Sequence, residues 1–151
     1  MVPAANIIAG TEPVASGLPS SCCWRHYFRD TVSAGSGWVV LIVEDDPIIG
    51  MMLRDMVQEL GCRPIGPAGS VAVALKLLDD TPSIDAALLD CNLGREMVWP
   101  VADRLRSRNI PFVFSTGYGP AGVAPRFAGT PVLNKPFPIR MLQQALVPFL
   151  K

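Results

Sequence analysis

The sequence predicts an α/β fold in which a parallel sheet carries helices on both faces. Strand-like apolar runs alternate with segments of helical periodicity over residues 38–151, a pattern typical of successive βα units. The first run, residues 38–43 (WVVLIV), is continuously apolar, as expected of a strand that is buried on both faces. The length of 151 residues is sufficient for one such domain and a short tail.

The segment before this domain, residues 1–37, is rich in Pro, Gly, Ser and Ala and has no sustained periodicity. We predict a mostly disordered N-terminal extension, because such a composition buries too little apolar surface to offset its ordering entropy. An aromatic patch at residues 24–28 (WRHYF) leaves two interpretations open: an accidental leader or a short docking segment. His26 is the only histidine and has no obvious ligand partner.

The first helix has clear start and stop signals. Asp46 followed by Pro47 is typical of an N-cap and the first helical position, and Gly61 is suited to ending the helix. Apolar residues recur at helical spacing and predict the stripe that faces the core. This stripe comprises Ile49, Met52, Met56 and Leu60.

The later elements follow with similar spacing. Residues 63–66 form a weak strand whose Pro64 is tolerated only at a sheet edge, and Ser70 caps a helix that runs to Leu78. Residues 117–130 are rich in Gly and Pro, so this crossover is predicted to be a loop or a single turn. The remaining predictions are strands at 84–89, 111–115 and 131–133 and helices at 100–108 and 139–149.

Composition excludes several classes of protein. Thirteen basic residues balance 13 acidic ones, so the basic excess of a nucleic-acid binder is absent. No apolar run approaches membrane-spanning length, and the N-terminus lacks the pattern of a signal peptide. The four cysteines show no metal-binding spacing and two of them are adjacent. We therefore expect a soluble cytoplasmic protein without nucleic-acid or membrane partners.

Polar residues follow the apolar strands at their carboxyl ends, where open α/β sheets gather function. These residues are Glu44, Asp45, Asp90, Thr116 and Lys135. Carboxylates in close proximity repel one another and need a counter-charge, for which Mg²⁺ with oxygen ligands is suited. A lysine and a hydroxyl beside them indicate a site for phosphoryl transfer, with Asp90 as the candidate nucleophile.

Four motifs now resemble one known family. They are VLIVEDDP at 40–47, LLDCNLG at 88–94, FSTGYG at 114–119 and NKPF at 134–137. In this order they resemble the receiver domain of two-component response regulators, the CheY-like superfamily, over residues 38–150. The resemblance implies a doubly wound five-stranded parallel sheet of flavodoxin-like order 2-1-3-4-5, with the helix between the fourth and fifth strands shortened or replaced by a loop.

The resemblance also implies roles at the site. Asp90 would accept the phosphoryl group and bind Mg²⁺. Asp45 would bind the metal directly, Glu44 through water, and Asn92 through its backbone carbonyl. The neighbouring Asp46 fits better as the helix N-cap than as a further ligand.

Of the remaining positions, Thr116 and Lys135 match the family, whereas Val132 departs from it. Thr116 and Lys135 would each bind a phosphoryl oxygen, and the bond from Lys135 to Pro136 is usually cis in the family. Val132 stands where most receivers have an aromatic switch residue, and Tyr118 offers an aromatic ring elsewhere. The sequence resembles stand-alone receivers with an F-[AS]-T-G-Y motif, so we hypothesise that phosphorylation orders residues 117–130.

The function implied is a single-domain response regulator of a two-component phosphorelay. A histidine kinase or histidine phosphotransfer protein would phosphorylate Asp90, and the signal would pass to a downstream protein target. Because the last predicted helix reaches the end of the sequence, we expect no DNA-binding output domain. We expect no metabolite substrate, and catalysis only of its own Mg²⁺-dependent phosphorylation and dephosphorylation.

Two alternatives stand beside this interpretation. A pseudo-receiver would use the same fold as an interaction module without phosphorylation. An aspartate-nucleophile phosphatase is weaker, because such enzymes usually need a carboxylic acid at the position of Asn92. Cys91 is expected to be a small core residue rather than a redox sensor. The methionines are likewise expected to fill the core, namely Met51, Met52, Met56 and Met97.

Overall fold

A computed structural model describes residues 37–149. The predicted disordered extension therefore lies outside the described residues, except for Gly37. Five parallel strands form one sheet in the order β2-β1-β3-β4-β5, which confirms the predicted fold class. The strands are β1 (Val39–Val43), β2 (Arg63–Ala68), β3 (Ala86–Asp90), β4 (Phe112–Thr116) and β5 (Val132–Asn134).

Four α-helices cover the two faces of the sheet, as predicted. They are α1 (Pro47–Glu59), α2 (Val71–Asp80), α3 (Trp99–Ser107) and α4 (Ile139–Leu146). Alternate strand residues contribute to two separate cores: one lies between the sheet and α2 and α3, the other between the sheet and α1 and α4. No helix in the described range 37–149 combines the length and apolar character required to span a membrane.

Helix α1 begins as predicted, and its buried stripe was predicted in part, since Ile49, Met56 and Leu60 lie in or against the core but Met52 does not. The Asp46 Oδ1 accepts hydrogen bonds from the backbone N–H groups of Ile48 at 2.8 Å and Ile49 at 3.2 Å, and Gly61 follows the helix with φ +83°. The side chain of Met52 is 51% exposed. The most deeply buried residues of the helix are Gly50, Leu53 and Val57, with Leu60 directly after it. Apolar residues on several sides of this helix prevented periodicity from locating the centre of the buried stripe.

The predicted methionine core was also largely wrong. Met51 is 65% exposed, and Met52 and Met97 are exposed as well; only Met56 packs, half-buried, against the core. Met51 and Met52 lie on the outer side of α1, and Met97 lies in the loop after β3. The unbranched methionine side chain suits both a core and an exposed contact surface, so residue type did not decide between them.

Strand β2 lies at the edge of the sheet, as Pro64 predicted. It extends through Pro67 to Ala68, two residues beyond the predicted end. The guanidinium of Arg54 on α1 donates a hydrogen bond of 2.7 Å to the carbonyl oxygen of Gly66. The other strands and helices lie within two residues of their predicted starts, and α4 ends at Leu146, where a short 3₁₀ turn, Val147–Phe149, follows.

The crossover between β4 and β5 contains two short 3₁₀ turns, Gly119–Gly122 and Pro125–Phe127, instead of a full helix. This confirms the predicted loop. Phe127 is fully buried in an aromatic cluster with Trp99, Phe112 and Phe114 at centroid distances of 5.6–6.0 Å. The second turn is therefore anchored on α3 and β4.

Candidate functional site

The carboxyl ends of the strands bring charged side chains together on one face of the sheet. Because side chains alternate along a strand, Glu44 continues the side of Ile42, and Asp90 continues the side of Leu88. Lys135 in turn continues the side of Leu133. Ile42, Leu88 and Leu133 all belong to the core beneath α1 and α4. The three charged groups therefore meet at the rim of this core.

Lys135 joins the two buried carboxylates. Its Nζ lies 2.7 Å from Glu44 Oε2 and 3.3 Å from Asp90 Oδ2. The other oxygens of these carboxylates accept hydrogen bonds from backbone N–H groups: Asp46 donates to Glu44 Oε1 at 3.1 Å, and Asn92 donates to Asp90 Oδ1 at 3.4 Å. Each carboxylate is thus held by one ammonium contact and one backbone contact.

Burial and the contacts between opposite charges have opposing effects on the pKa values of Glu44 and Lys135. Desolvation raises the pKa of Glu44 to about 7 against the lowering effect of its hydrogen bond to Lys135. For Lys135, burial opposes the charged form, but the hydrogen bond to Glu44 and the charge of Asp90 outweigh it and raise the pKa of the ammonium. Lys135 therefore remains positive at neutral pH.

A third carboxylate completes an acidic cluster. Glu44, Asp45 and Asp90 each offer one oxygen atom, and these atoms lie within 4.8 Å of one another. Asp45 is exposed while the other two are buried. This all-oxygen donor set, open to solvent on one side, fits a hard cation such as Mg²⁺ that retains some of its waters.

Asp46 and Asn92 each lie close in sequence to the acidic cluster, but Asp46 has a separate role in the fold. Asp46 lies outside it and uses its carboxylate to cap α1, as the sequence favoured. Asn92 is exposed and follows Asp90 in a loop closed by an antiparallel bridge to Met97. The same loop passes near Asp45, since a Cβ atom at Gly94 would lie 3.6 Å from Asp45 Oδ2.

Thr116 lies at the same rim, but its side chain is on the opposite side of the sheet from Glu44, Asp90 and Lys135. Thr116 continues the side of Phe114, which belongs to the opposite core. Its Oγ1 accepts a hydrogen bond of 3.1 Å from the backbone N–H of Tyr118. A Cβ atom at Gly122 would lie only 3.0 Å from this oxygen, so the first 3₁₀ turn covers it. The backbone carbonyl of Thr116 meanwhile accepts a hydrogen bond of 2.8 Å from the Lys135 N–H.

Val132 and Tyr118, which depart from the common receiver pattern, lie in different surroundings. Val132 is half-buried and packs against the core beneath α2 and α3, whereas Tyr118 is 77% exposed. The bond between Lys135 and Pro136 is cis, as the resemblance implied. Cys91 is a buried core residue, as expected, and burial together with the charge of Asp90 raises the pKa of its thiol to about 12.

One polar residue of this face was missed by the sequence analysis. Ser115 is fully buried, and its Oγ has no hydrogen-bond partner among residues 37–149. Its Cα pairs with that of Asp90 on β3 and with that of Leu133 on β5. Strand alternation from Val113 to Ser115 was the signal available in the sequence.

Several known proteins are similar to this chain in sequence or in structure. No family model matches the chain. The solution structure of SdrG from Sphingomonas melonis Fr1 is 45% identical, with a TM-score of 0.68, and the match covers 80% of this chain and all of that one. A structure described as the BeF3-activated conformation of SdrG, from Pseudomonas melonis Fr1, is 46% identical over 75% of this chain and 96% of that chain, with a TM-score of 0.64.

Two further relatives are PhyR proteins. The receiver domain of the PhyR response regulator of Erythrobacter litoralis is 25% identical, with a TM-score of 0.67, over 78% of this chain and 93% of that chain. The phyllosphere-induced regulator PhyR of Methylorubrum extorquens is 33% identical over 81 residues, which are 52% of this chain and 30% of that protein. This chain thus matches less than a third of the length of that regulator.

Proposed function

Because the chain belongs to the CheY-like family of response regulator receiver domains, we propose that it is a single-domain response regulator that accepts a phosphoryl group on Asp90. The observation that carries this proposal is the contact of one ammonium group, that of Lys135, with both Glu44 and Asp90. With Asp45 completing the acidic cluster, the site holds a nucleophile, a fixed positive charge and ligands for a cation.

In the proposed reaction, one Asp90 oxygen attacks the phosphorus atom of a phosphohistidine on a partner protein. The new bond joins phosphorus to that oxygen, and the phosphorus–nitrogen bond of the donor breaks. The histidine nitrogen keeps the bonding electron pair, and its imidazole takes up a proton from solvent. The Lys135 ammonium stabilises the charge on the transferring group, as expected where positioning and electrostatics supply most of the catalysis.

Glu44, Asp45, Asp90 and the backbone carbonyl of Asn92 would hold Mg²⁺ in this proposal. The ion would neutralise charge on the phosphoryl oxygens when bound. Glu44 has a second task, because its contact with Lys135 keeps the ammonium beside Asp90.

The Thr116 hydroxyl accepts a hydrogen bond from Tyr118 and keeps its own proton free to donate. The turn at Gly122 covers it, so it would bind a phosphoryl oxygen only after this turn moves. We therefore propose that phosphorylation rearranges the first part of the crossover, residues 117–122. Residues 125–130 are held by Phe127, over whose ring the guanidinium groups of Arg106 and Arg126 lie at 4.4 and 4.8 Å. Val123 and Ala124 also pack against the core that contains Phe127, which restricts our hypothesis for residues 117–130 to residues 117–122.

The partners proposed are a histidine kinase or histidine phosphotransfer protein and a downstream protein target in a cytoplasmic two-component pathway. Exposed apolar side chains follow the carboxyl ends of β1, β3 and β4 and would contact such proteins. They are Ile48, Met51, Met52, Met97 and Tyr118. The proposed receiver uses no metabolite substrate and catalyses only its own phosphorylation and dephosphorylation.

A pseudo-receiver is the second candidate function. It is favoured by the hydrogen bond that keeps the Thr116 hydroxyl in the turn, by the aliphatic Val132, and by similarity to PhyR proteins. In this case the exposed apolar rim would bind partners without a change in phosphorylation. Retention of Glu44, Asp45, Asp90 and Lys135 in one cluster argues for the phosphorylated form.

Incubation with acetyl phosphate and Mg²⁺, followed by intact mass measurement, separates these functions. We expect a labile gain of one phosphoryl group that is absent from Asp90→Asn and from samples with a chelator. The matched control is Asp55→Asn, which removes an exposed carboxylate of α1 and should leave the gain intact. An unchanged mass of the parent protein would favour the pseudo-receiver, and sustained hydrolysis of unrelated phosphoesters would indicate a phosphatase.

A further inference from the structure

We propose that Ser115 is an additional positioning residue of the phosphorylation site, whose hydroxyl accepts a hydrogen bond from the Lys135 ammonium during phosphoryl transfer. The inference rests on the proposed function of Asp90. It starts from an observation independent of the acidic cluster: the Ser115 Oγ is completely buried and has no hydrogen-bond partner among the described residues. Buried hydroxyls are nearly always paired, because an unpaired one destabilises the fold.

The position of Ser115 identifies the group it would bind. Strand β4 lies between β3 and β5, so the side chain of Lys135, which follows β5, must cross over β4 to reach Asp90. Ser115 is the last residue of β4 on the side that Lys135 crosses, and its Cα is paired with that of Asp90. In the resting structure the Lys135 ammonium lies beyond Ser115, because it contacts Asp90 of β3 at 3.3 Å and Glu44, which follows β1, at 2.7 Å. Its side chain passes Ser115 on the way to both carboxylates.

The hydrogen-bonding capacities of the two groups are complementary. An ammonium has three N–H donors, and the two contacts to Glu44 and Asp90 account for two of them. A serine hydroxyl has two acceptor lone pairs, and no group of the described residues uses those of Ser115. Once Asp90 carries a phosphoryl group, Lys135 must turn toward a phosphoryl oxygen. Ser115 can then accept the third N–H and fix the direction of the ammonium.

Ser115→Ala tests this role because the resting hydroxyl has no hydrogen-bond partner in residues 37–149 to lose. The variant should unfold at a denaturant concentration no lower than the parent protein in the absence of metal. It should nevertheless accept the phosphoryl group of acetyl phosphate about five-fold more slowly, the factor that corresponds to one hydrogen bond of about 1 kcal/mol. Ser115→Cys, similar in size with only weak hydrogen-bonding capacity, should behave in the same way and covers the case in which the alanine variant folds poorly.

A double-mutant cycle assigns the effect to Lys135. In a Lys135→Met background, the additional replacement of Ser115 by alanine should no longer slow phosphorylation, because the donor of the proposed hydrogen bond is gone. Ser107→Ala is the matched control: this hydroxyl donates to the Arg104 carbonyl at 2.7 Å on α3, and its removal should leave the rate unchanged.

A second readout uses no phosphoryl transfer. Beryllofluoride with Mg²⁺ should raise the unfolding midpoint of the parent protein more than that of Ser115→Ala, because a ligand stabilises a fold according to its affinity. Equal rates and equal beryllofluoride stabilisation in the two proteins would overturn the role of Ser115 alone. Persistence of the full rate loss in the Lys135→Met background would also overturn it. If the parent protein itself gains no phosphoryl group, the proposed function fails and this inference fails with it.

Discussion

Replacement of Glu44 by glutamine is expected to change how the stability of the metal-free fold depends on pH. Burial raises the pKa of this carboxyl to about 7 from an ordinary value of 4.5, against the opposing effect of Lys135. Each pKa unit corresponds to about 1.4 kcal/mol. The contribution of Glu44 to the free energy of unfolding therefore changes by about 3 kcal/mol between pH values well below 4.5 and well above about 7. Glutamine keeps the shape of the side chain and removes the titration.

The raised pKa of Glu44 determines whether the free energy of unfolding rises or falls with pH. Between pH 4.5 and about 7 the folded protein binds more protons at Glu44 than the unfolded chain does, so the free energy of unfolding falls as the pH rises. The contribution is fully present below the ordinary pKa and is lost as the pH rises through about 7. From about pH 5 to about pH 8, the parent protein should lose about 2–3 kcal/mol more stability than Glu44→Gln does.

Urea unfolding in the presence of a chelator, at both pH values and for both proteins, measures this quantity. Comparing the two pH values cancels the pH-independent cost of removing the 2.7 Å contact to Lys135. Asp55→Asn also removes a carboxylate, but an exposed one, and serves as the control. If Glu44→Gln and its parent differ by the same free energy at both pH values, the assignment of a buried, proton-binding Glu44 is wrong.

Three further outcomes are expected. Asp46→Ala should lower the free energy of unfolding by about 1 kcal/mol through loss of the α1 cap; an unchanged urea midpoint would contradict the capping role. Phe127→Ala should cost about 3–5 kcal/mol and increase amide exchange in residues 125–130, whereas unchanged exchange would show that Phe127 does not anchor the crossover. Burial raises the pKa of Cys62 to about 11 and that of Cys91 to about 12, so iodoacetamide at neutral pH should label neither thiol until denaturant is added. Labelling of Cys62 or Cys91 in the folded protein, measured by peptide mass, would refute this.

The sequence predicted those elements whose ends have distinct chemistry. Asp46 and Pro47 defined the start of α1, Pro64 the edge position of β2, and the Gly- and Pro-rich stretch after β4 the missing helix. The centre of the buried side of α1 could not be chosen, because Met52 and Leu53 are both apolar and lie on adjacent sides of the helix. Only the contact of Leu53 with the sheet distinguishes them.

The residues of the candidate site could be named from the sequence, but their arrangement in space could be predicted less well. Continuously apolar strands have no polar side from which their register can be deduced. The sequence therefore indicated that Thr116 ends a strand beside Asp90, but the pairing of Asp90 with Ser115 appears only in the structure. This one-residue difference puts Ser115 on the side of Asp90 and leaves Thr116 on the other.

The two sides of β4 consequently require side chains of different size. Phe112 and Phe114 fill the core beneath the shortened crossover, where Phe127 packs against both at centroid distances of 6.0 and 5.6 Å. On the other side the strand ends in the small Ser115, and the Lys135 side chain crosses there to reach Asp90. A large residue at this position would occupy the path of Lys135, whereas a small residue at Phe114 would leave a cavity under Phe127. Alternation of large and small side chains along one strand thus supports both the crossover and the charged site.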